Sequence, residues 1–149
     1  MANILITGAG KGIGLATALA FARTGHTVAA GVRNPDAATE LAEITSRETL
    51  KISVETLDVD DDLSVNRAIE RLTASIGDID VLINNAGIER VGATEDLSMD
   101  DFKVSMETNY LGAVRFIKAV LPSMREKRSG CIVNVTSITG RLANSPFGA

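Results

Sequence analysis

Ile4-Leu5-Ile6-Thr7-Gly8-Ala9-Gly10-Lys11-Gly12-Ile13-Gly14 decides how this chain is read. Three consecutive apolar residues make a short strand, which breaks directly into glycines on alternate positions. Beyond them Ile13, Ala16, Ala20 and Phe21 recur at helical spacing, and Gly25 is placed to stop the helix. Glycines at a strand–helix junction let backbone N–H groups approach an anion, whose charge then meets the positive end of the helix. The spacing is G-x-x-x-G-x-G at 8, 12 and 14. It is neither the G-x-G-x-x-G fingerprint, which would need glycine where Ile13 stands, nor the G-K-[ST] ending of a P-loop. Gly8, Lys11, Gly12, Ile13 and Gly14 are therefore the first candidate cofactor-binding residues.

Outward from this loop, strand and helix patterns alternate to the end. Thr27 to Val32 reads as a second strand, and Asn34-Pro35 as cap and first residue of a helix over Ala37 to Thr45. Ile52 to Val59 reads as a third strand. Asp60 to Asp62 supply cap and first-turn acids to a helix carrying Leu63, Ala68, Ile69 and Leu72. Val81-Leu82-Ile83 is a fourth strand. Ser98 to Asp101 resembles a capping box with Asp for Glu, opening a long helix to about Lys127, and Gly130 to Val135 is a fifth strand. Continuous apolar strands alternating with helices predict an α/β fold, a doubly wound parallel sheet of Rossmann type, here incomplete at its C-terminal side.

Composition narrows the function. The 149 residues are 45% hydrophobic and 23% charged, as expected of one globular domain. A net charge of −4 without a Lys/Arg-rich stretch argues against nucleic acid. No apolar run approaches the roughly 20 residues of a membrane span. No signal-peptide pattern precedes Ile4, and the lone Cys131 suits a reducing compartment, so a cytoplasmic location is expected.

Cofactor choice is read at the end of the second strand, where an acid would hold a ribose 2′-hydroxyl and a base would hold a 2′-phosphate. The strand ends Ala29-Ala30-Gly31-Val32-Arg33-Asn34, with no acid before Asp36. Arg33 offers a planar fork suited to phosphate, and Lys11 adds a second cation, so NADP is expected over NAD.

Taken together, the Thr7–Gly14 loop, Asp58-Val59, Asn84-Asn85-Ala86-Gly87, Asn109 and Ser137 resemble the short-chain dehydrogenase/reductase family across essentially the whole chain. The resemblance implies an enzyme that interconverts a small-molecule carbonyl and a secondary alcohol by hydride transfer. It implies that Asp58 binds the adenine amino group with the Val59 backbone beside it. Asn84, Asn85, Ala86 and Gly87 then line the pocket near the adenosine and the nicotinamide ribose and brace the sheet. It further implies that Ser137 hydrogen-bonds the substrate oxygen and that Asn109 holds a water in a proton relay, which makes these two the catalytic candidates. The family's acid is a tyrosine with a lysine four residues later, and here the pattern departs. The only tyrosine is Tyr110, followed four positions on by Val114. The resemblance places the missing pair just beyond Ala149, with Asn144 to Ala149 leading into it. Residues 1–149 are thus expected to be the N-terminal part of one larger single-domain enzyme. A non-catalytic nucleotide-binding protein and an inactive fragment are the alternatives. Family members pair the long helix with a second copy, and the apolar positions Phe102, Met106, Tyr110, Val114, Ile117, Leu121 and Met124 of the 99–127 helix fit a homodimer or homotetramer.

Other residues carry plainer expectations. His26 reads as a solvated turn residue, Cys131 as a small core residue of a buried strand, and Asp60 to Asp62 as helix capping, so no metal site is expected. Arg125 to Arg128 reads as a cluster complementing a helix C-terminus.

Overall fold

The computed structural model describes residues 1–142. Its elements run β1 (Asn3–Thr7), α1 (Gly12–Arg23), β2 (Thr27–Val32), α2 (Thr39–Glu48), β3 (Ile52–Thr56), α3 (Asp62–Ile76), β4 (Val81–Asn84), α4 (Met99–Met106), α5 (Gly112–Glu126) and β5 (Cys131–Asn134). The five strands form one sheet in the order β3-β2-β1-β4-β5, and every neighbouring pair is parallel. This is the doubly wound α/β architecture. After β1 the chain winds outward through β2 and β3, then returns to lay β4 on the other side of β1. That reversal opens a crevice at the C-terminal ends of β1 and β4, where open α/β sheets bind ligands.

The period of two in the strands explains the two cores. Ile4 and Ile6 face one side with Val28 and Ala30, against Leu15, Ala18, Leu19 and Ala22 of α1 and Leu41 of α2. Leu5, Ala29 and Leu82 face the other, against Val65, Ala68 and Leu72 of α3 and Phe116, Val120 and Met124 of α5. Both faces are covered, which is why the strand sequences are continuously apolar. Fully buried side chains such as Phe116 and Leu72 each contribute about 1.5–3 kcal/mol.

Several expectations are corrected. Pairing of β3 stops at Val32↔Thr56, where β2 itself ends. Leu57 and Val59, which extend the apparent strand, instead turn into the second core. Pro35–Ala37 forms a separate 3-10 turn capped by Asn34, so α2 begins later than expected, at Thr39. The long helix is not uniform: Glu107–Leu111 is a π-helical turn between α4 and α5. Cys131 is exposed rather than buried, because β5 is the sheet edge and pairs with β4 alone among the described residues. His26 is not left to solvent: its Nδ1 accepts from the Ala2 N–H at 3.1 Å, and its ring meets the edge of Phe21. In the basic cluster, Lys127 reaches back to the start of β4, donating to Asp80 Oδ1 at 2.7 Å and to the Ile79 carbonyl at 3.2 Å.

Candidate functional site

The glycine loop turns sharply out of β1. Gly8 and Gly12 take left-handed φ values of +67° and +58°, which other residues reach only with strain. The helix that follows begins without protection: Lys11 is extended, no side chain caps α1, and its first turn carries no acid. Its leading N–H groups and positive end therefore remain available to an anion.

The loop is tied to the segment after β4. Thr7 Oγ1 accepts the N–H groups of Asn85 and Ala86, each at 3.0 Å. Asn85 Nδ2 donates to the carbonyls of Thr7 and Gly8 at 3.0 and 3.1 Å. Packing here leaves no space for a larger residue, since a Cβ on Gly8 would stand 2.8 Å from Ala86 Cα. Asn84, one residue earlier, is buried and donates to Asn134 Oδ1 at 2.8 Å, joining the ends of β4 and β5.

A cavity of about 720 Å³ lies along these strand ends. It brings together Gly8, Lys11, Gly12, Ile13, Arg33, Asp58, Val59, Asn85, Ala86 and Gly87, which are all the cofactor candidates except Gly14. Gly14 is buried behind the loop instead. Lys11 and Arg33 stand on the same cavity, while Asp36, the first acid after β2, is not part of its lining. Asp58 gives one oxygen to the Asp60 N–H at 3.1 Å and keeps the other.

Three neighbouring carboxylates are used structurally. Asp60 accepts from Thr108 Oγ1 at 2.9 Å, Asp61 caps α3 by accepting from Leu63 N–H at 3.0 Å, and Asp62 pairs with Arg115. Among the described residues, no group of three or more metal-binding side chains converges.

The two catalytic candidates lie outside the cavity lining. Asn109, on the π-helical turn, holds Ile88 by both backbone groups: its Oδ1 accepts from Ile88 N–H at 2.8 Å and its Nδ2 donates to the Ile88 carbonyl at 2.9 Å. Ser137 caps a 3-10 turn at Ile138–Gly140, accepting from Thr139 N–H at 3.2 Å and from Thr139 Oγ1 at 2.7 Å, with its own proton left to donate. Tyr110 is 57% exposed. Asn144 to Ala149, read as the approach to a catalytic tyrosine, lie outside the described residues.

Sequence reasoning missed Asn34, Ala37, Ala38, Asp60, Ile88 and Thr108 as cavity residues. Thr108 lies on the buried face of the π-helical turn, away from the apolar positions Met106 and Tyr110. The others reach the cavity through loop geometry that has no periodicity.

Compared with known proteins, residues 2–149 match the short chain dehydrogenase family. The chain is 39% identical to 3-ketodihydrosphingosine reductase of Bacteroides thetaiotaomicron, over 92% of this chain and 47% of that protein. It is 37% identical to 2,3-dihydro-2,3-dihydroxybenzoate dehydrogenase of Escherichia coli, over 99% and 56%. A gluconate 5-dehydrogenase from Burkholderia cenocepacia, solved with NADP and tartrate, superposes with a TM-score of 0.89 at 33% identity, covering 98% of this chain and 57% of that one. The chain therefore spans about half the length of the curated relatives it matches.

Proposed function

This chain belongs to the short chain dehydrogenase family, and on that premise we propose that it holds the cofactor of an NADP(H)-dependent oxidoreductase interconverting a carbonyl and a secondary alcohol. The observation that carries the reading is the placement of Lys11 and Arg33 on one cavity, with no acid from the end of β2 beside them. An acid there would repel a 2′-phosphate, whereas the Arg33 fork pairs with one.

The residues present fit a dinucleotide. The uncapped start of α1 suits the pyrophosphate, and Gly12 faces open space where a side chain would intrude. Asp58 keeps an oxygen free to accept from an adenine amino group. Asn85, Ala86 and Gly87 form the wall nearest the riboses. When bound, the nicotinamide supplies the hydride. The chain's own residues then orient and exclude water. Asn109 fixes the Ile88 backbone and retains one amide N–H for a relay water, and Ser137 donates its proton to the substrate oxygen. No Y-x-x-x-K occurs within residues 1–149, and we place the proton donor in the length that the relatives have beyond this match.

Titrating the full-length protein with NADPH and with NADH, by nicotinamide fluorescence, tests the reading. Tighter NADPH binding is expected. Preference for NADH would overturn the choice of cofactor, and binding of neither would overturn the enzyme reading. The same reading assigns the outer face of the α4–α5 rod, with exposed Met106, Tyr110 and Leu111, to a second copy of the chain. A monomeric mass by light scattering at micromolar concentration would remove that assignment. Among the described residues, no helix is long and apolar enough to cross a membrane.

A further inference from the structure

The π-helical turn and the first turns of α5 grip the loop that follows β3. Thr108 Oγ1 holds Asp60 Oδ2 at 2.9 Å. Gly112 lies so close beneath Val59 that an added Cβ would stand 2.9 Å from Val59 Cγ2 and 3.3 Å from its carbonyl oxygen. Arg115 Nη1 donates to that same carbonyl at 3.4 Å. Steps of four and three residues place Thr108, Gly112 and Arg115 on one face of the rod. The Arg115 guanidinium also forks to Asp62, at the start of α3, and to Glu107 on the π-helical turn. Its side chain is only 21% exposed.

We propose that Arg115 is a positioning residue for the adenosine half of the nucleotide, an inference that rests on the cofactor reading above. Arg115 holds the Val59 carbonyl, the first turn of α3 and the π-helical turn at once. It thereby fixes the Asp58–Val59 edge, against which an adenine would lie. The start of α3 has its own cap in Asp61 and its own first-turn acid in Asp62, so that helix does not need Arg115 in order to form. What the arginine adds is the distance between α3, its preceding loop and α5. A planar fork serves three acceptors on three elements, whereas a lysine offers one point charge. The contact of Asn109 with Ile88 shares the π-helical turn with Glu107 but uses none of the Arg115 acceptors.

The test is calorimetric titration of adenosine 5′-monophosphate into the full-length protein, comparing wild type with Arg115→Met and Arg115→Lys. This probe lacks the 2′-phosphate, so it does not depend on Arg33. For Arg115→Met the dissociation constant is expected to rise about tenfold, with the binding stoichiometry kept near that of wild type. Arg115→Lys should not restore affinity. A residue that only stabilised the fold would lower the melting temperature or the stoichiometry and leave the affinity of the remaining sites unchanged, and that result overturns the proposal. Should circular dichroism show Arg115→Met unfolded, Arg115→Lys decides alone: a raised constant supports the proposal and an unchanged one overturns it. Wild-type protein that binds no adenosine monophosphate would sink the cofactor reading, and this inference with it. Normal wild-type binding with unchanged variants would sink this inference alone.

Discussion

Gly14 lies directly behind Asn85: a Cβ built on Gly14 would stand 2.5 Å from Asn85 Nδ2 and 2.4 Å from the Gly8 carbonyl oxygen that the same amide holds. The helix start and the segment after β4 meet at this point, and both are pinned by backbone that cannot give way cheaply.

Gly14→Ala is therefore expected to be destabilised by overpacking, by about 1–3 kcal/mol. Gly12→Ala should behave differently, because nothing lies within 4 Å of its Cβ position. Its cost is the left-handed backbone alone, roughly 1–2 kcal/mol, together with a methyl group in the cavity that weakens nucleotide binding. Denaturant unfolding and NADPH titration of both variants separate the two behaviours. Equal stability of Gly14→Ala and wild type would contradict the packing described.

Arg33→Asp in the full-length protein is expected to weaken NADP(H) far more than NAD(H). Loss of one charged hydrogen bond is worth about 1.5–3 kcal/mol, or about ten- to a hundredfold in affinity. Equal losses for both cofactors would mean that Arg33 does not read the 2′-phosphate.

Residues 1–149 expressed alone are expected to show no turnover when NADPH oxidation is assayed with a panel of ketones and quinones. Positioned acid–base groups supply about 10²–10⁴ in rate, and this stretch has no tyrosine–lysine pair to supply them. The edge strand β5 exposes Cys131 and Val133, and Val135 just after it is exposed too, which invites association rather than catalysis. Turnover close to that of an intact relative would move the acid to Tyr110 or Ser137.

Asp80 gives a pH-dependent contribution. Lys127, and then the Asn3 N–H at 2.9 Å, hold its carboxyl below the ordinary value of 3.8. A depressed carboxyl pKa stabilises the fold fully above that ordinary value and ceases to do so as pH falls through the lowered one. Its side chain is 38% exposed, so solvent screening keeps the contribution small, about 1 kcal/mol. Asp80→Asn should accordingly be less stable than wild type at about pH 7, and the gap between the two should narrow as the pH falls below the ordinary value of 3.8 toward the lowered one. A constant gap across that window would show that charge is not the cause.

Much of the fold was legible because it rests on local chemistry. The glycines of the first loop, the capping box at Ser98 and the alternation of strands with helices each leave a pattern in neighbouring residues, and each appears where expected. What escaped depended on distant partners. The π-helical turn at Glu107–Leu111 inserts no break in the apolar spacing, so the 99–127 stretch reads as one regular helix. Leu57 and Val59 continue the alternation of β3, and only the end of β2 stops the pairing. Cys131 reads as buried from its apolar neighbours, whereas its exposure follows from the place of β5 at the sheet edge. At the site, residue types picked out residues that line one cavity. The support that Thr7 lends to Asn85, and Arg115 to Val59, comes from contacts across long separations.

Thr7 precedes Asn85 by 78 residues, yet its hydroxyl holds the segment that forms the second wall of the cavity. Strands β1, β2 and β3 pair with near neighbours in the chain, while β1 meets β4 only across the longest excursion in the sheet. Closing that excursion carries the greatest entropic cost of the strand pairings. The glycine cradle follows directly from β1, but the wall that completes the cavity depends on that long-range contact. A nucleotide that occupies the cavity as proposed touches both walls, so its binding would stabilise the finished sheet over any partial one. A nucleotide bound as proposed would thus act on stability as well as on chemistry, by holding the two ends of that excursion together.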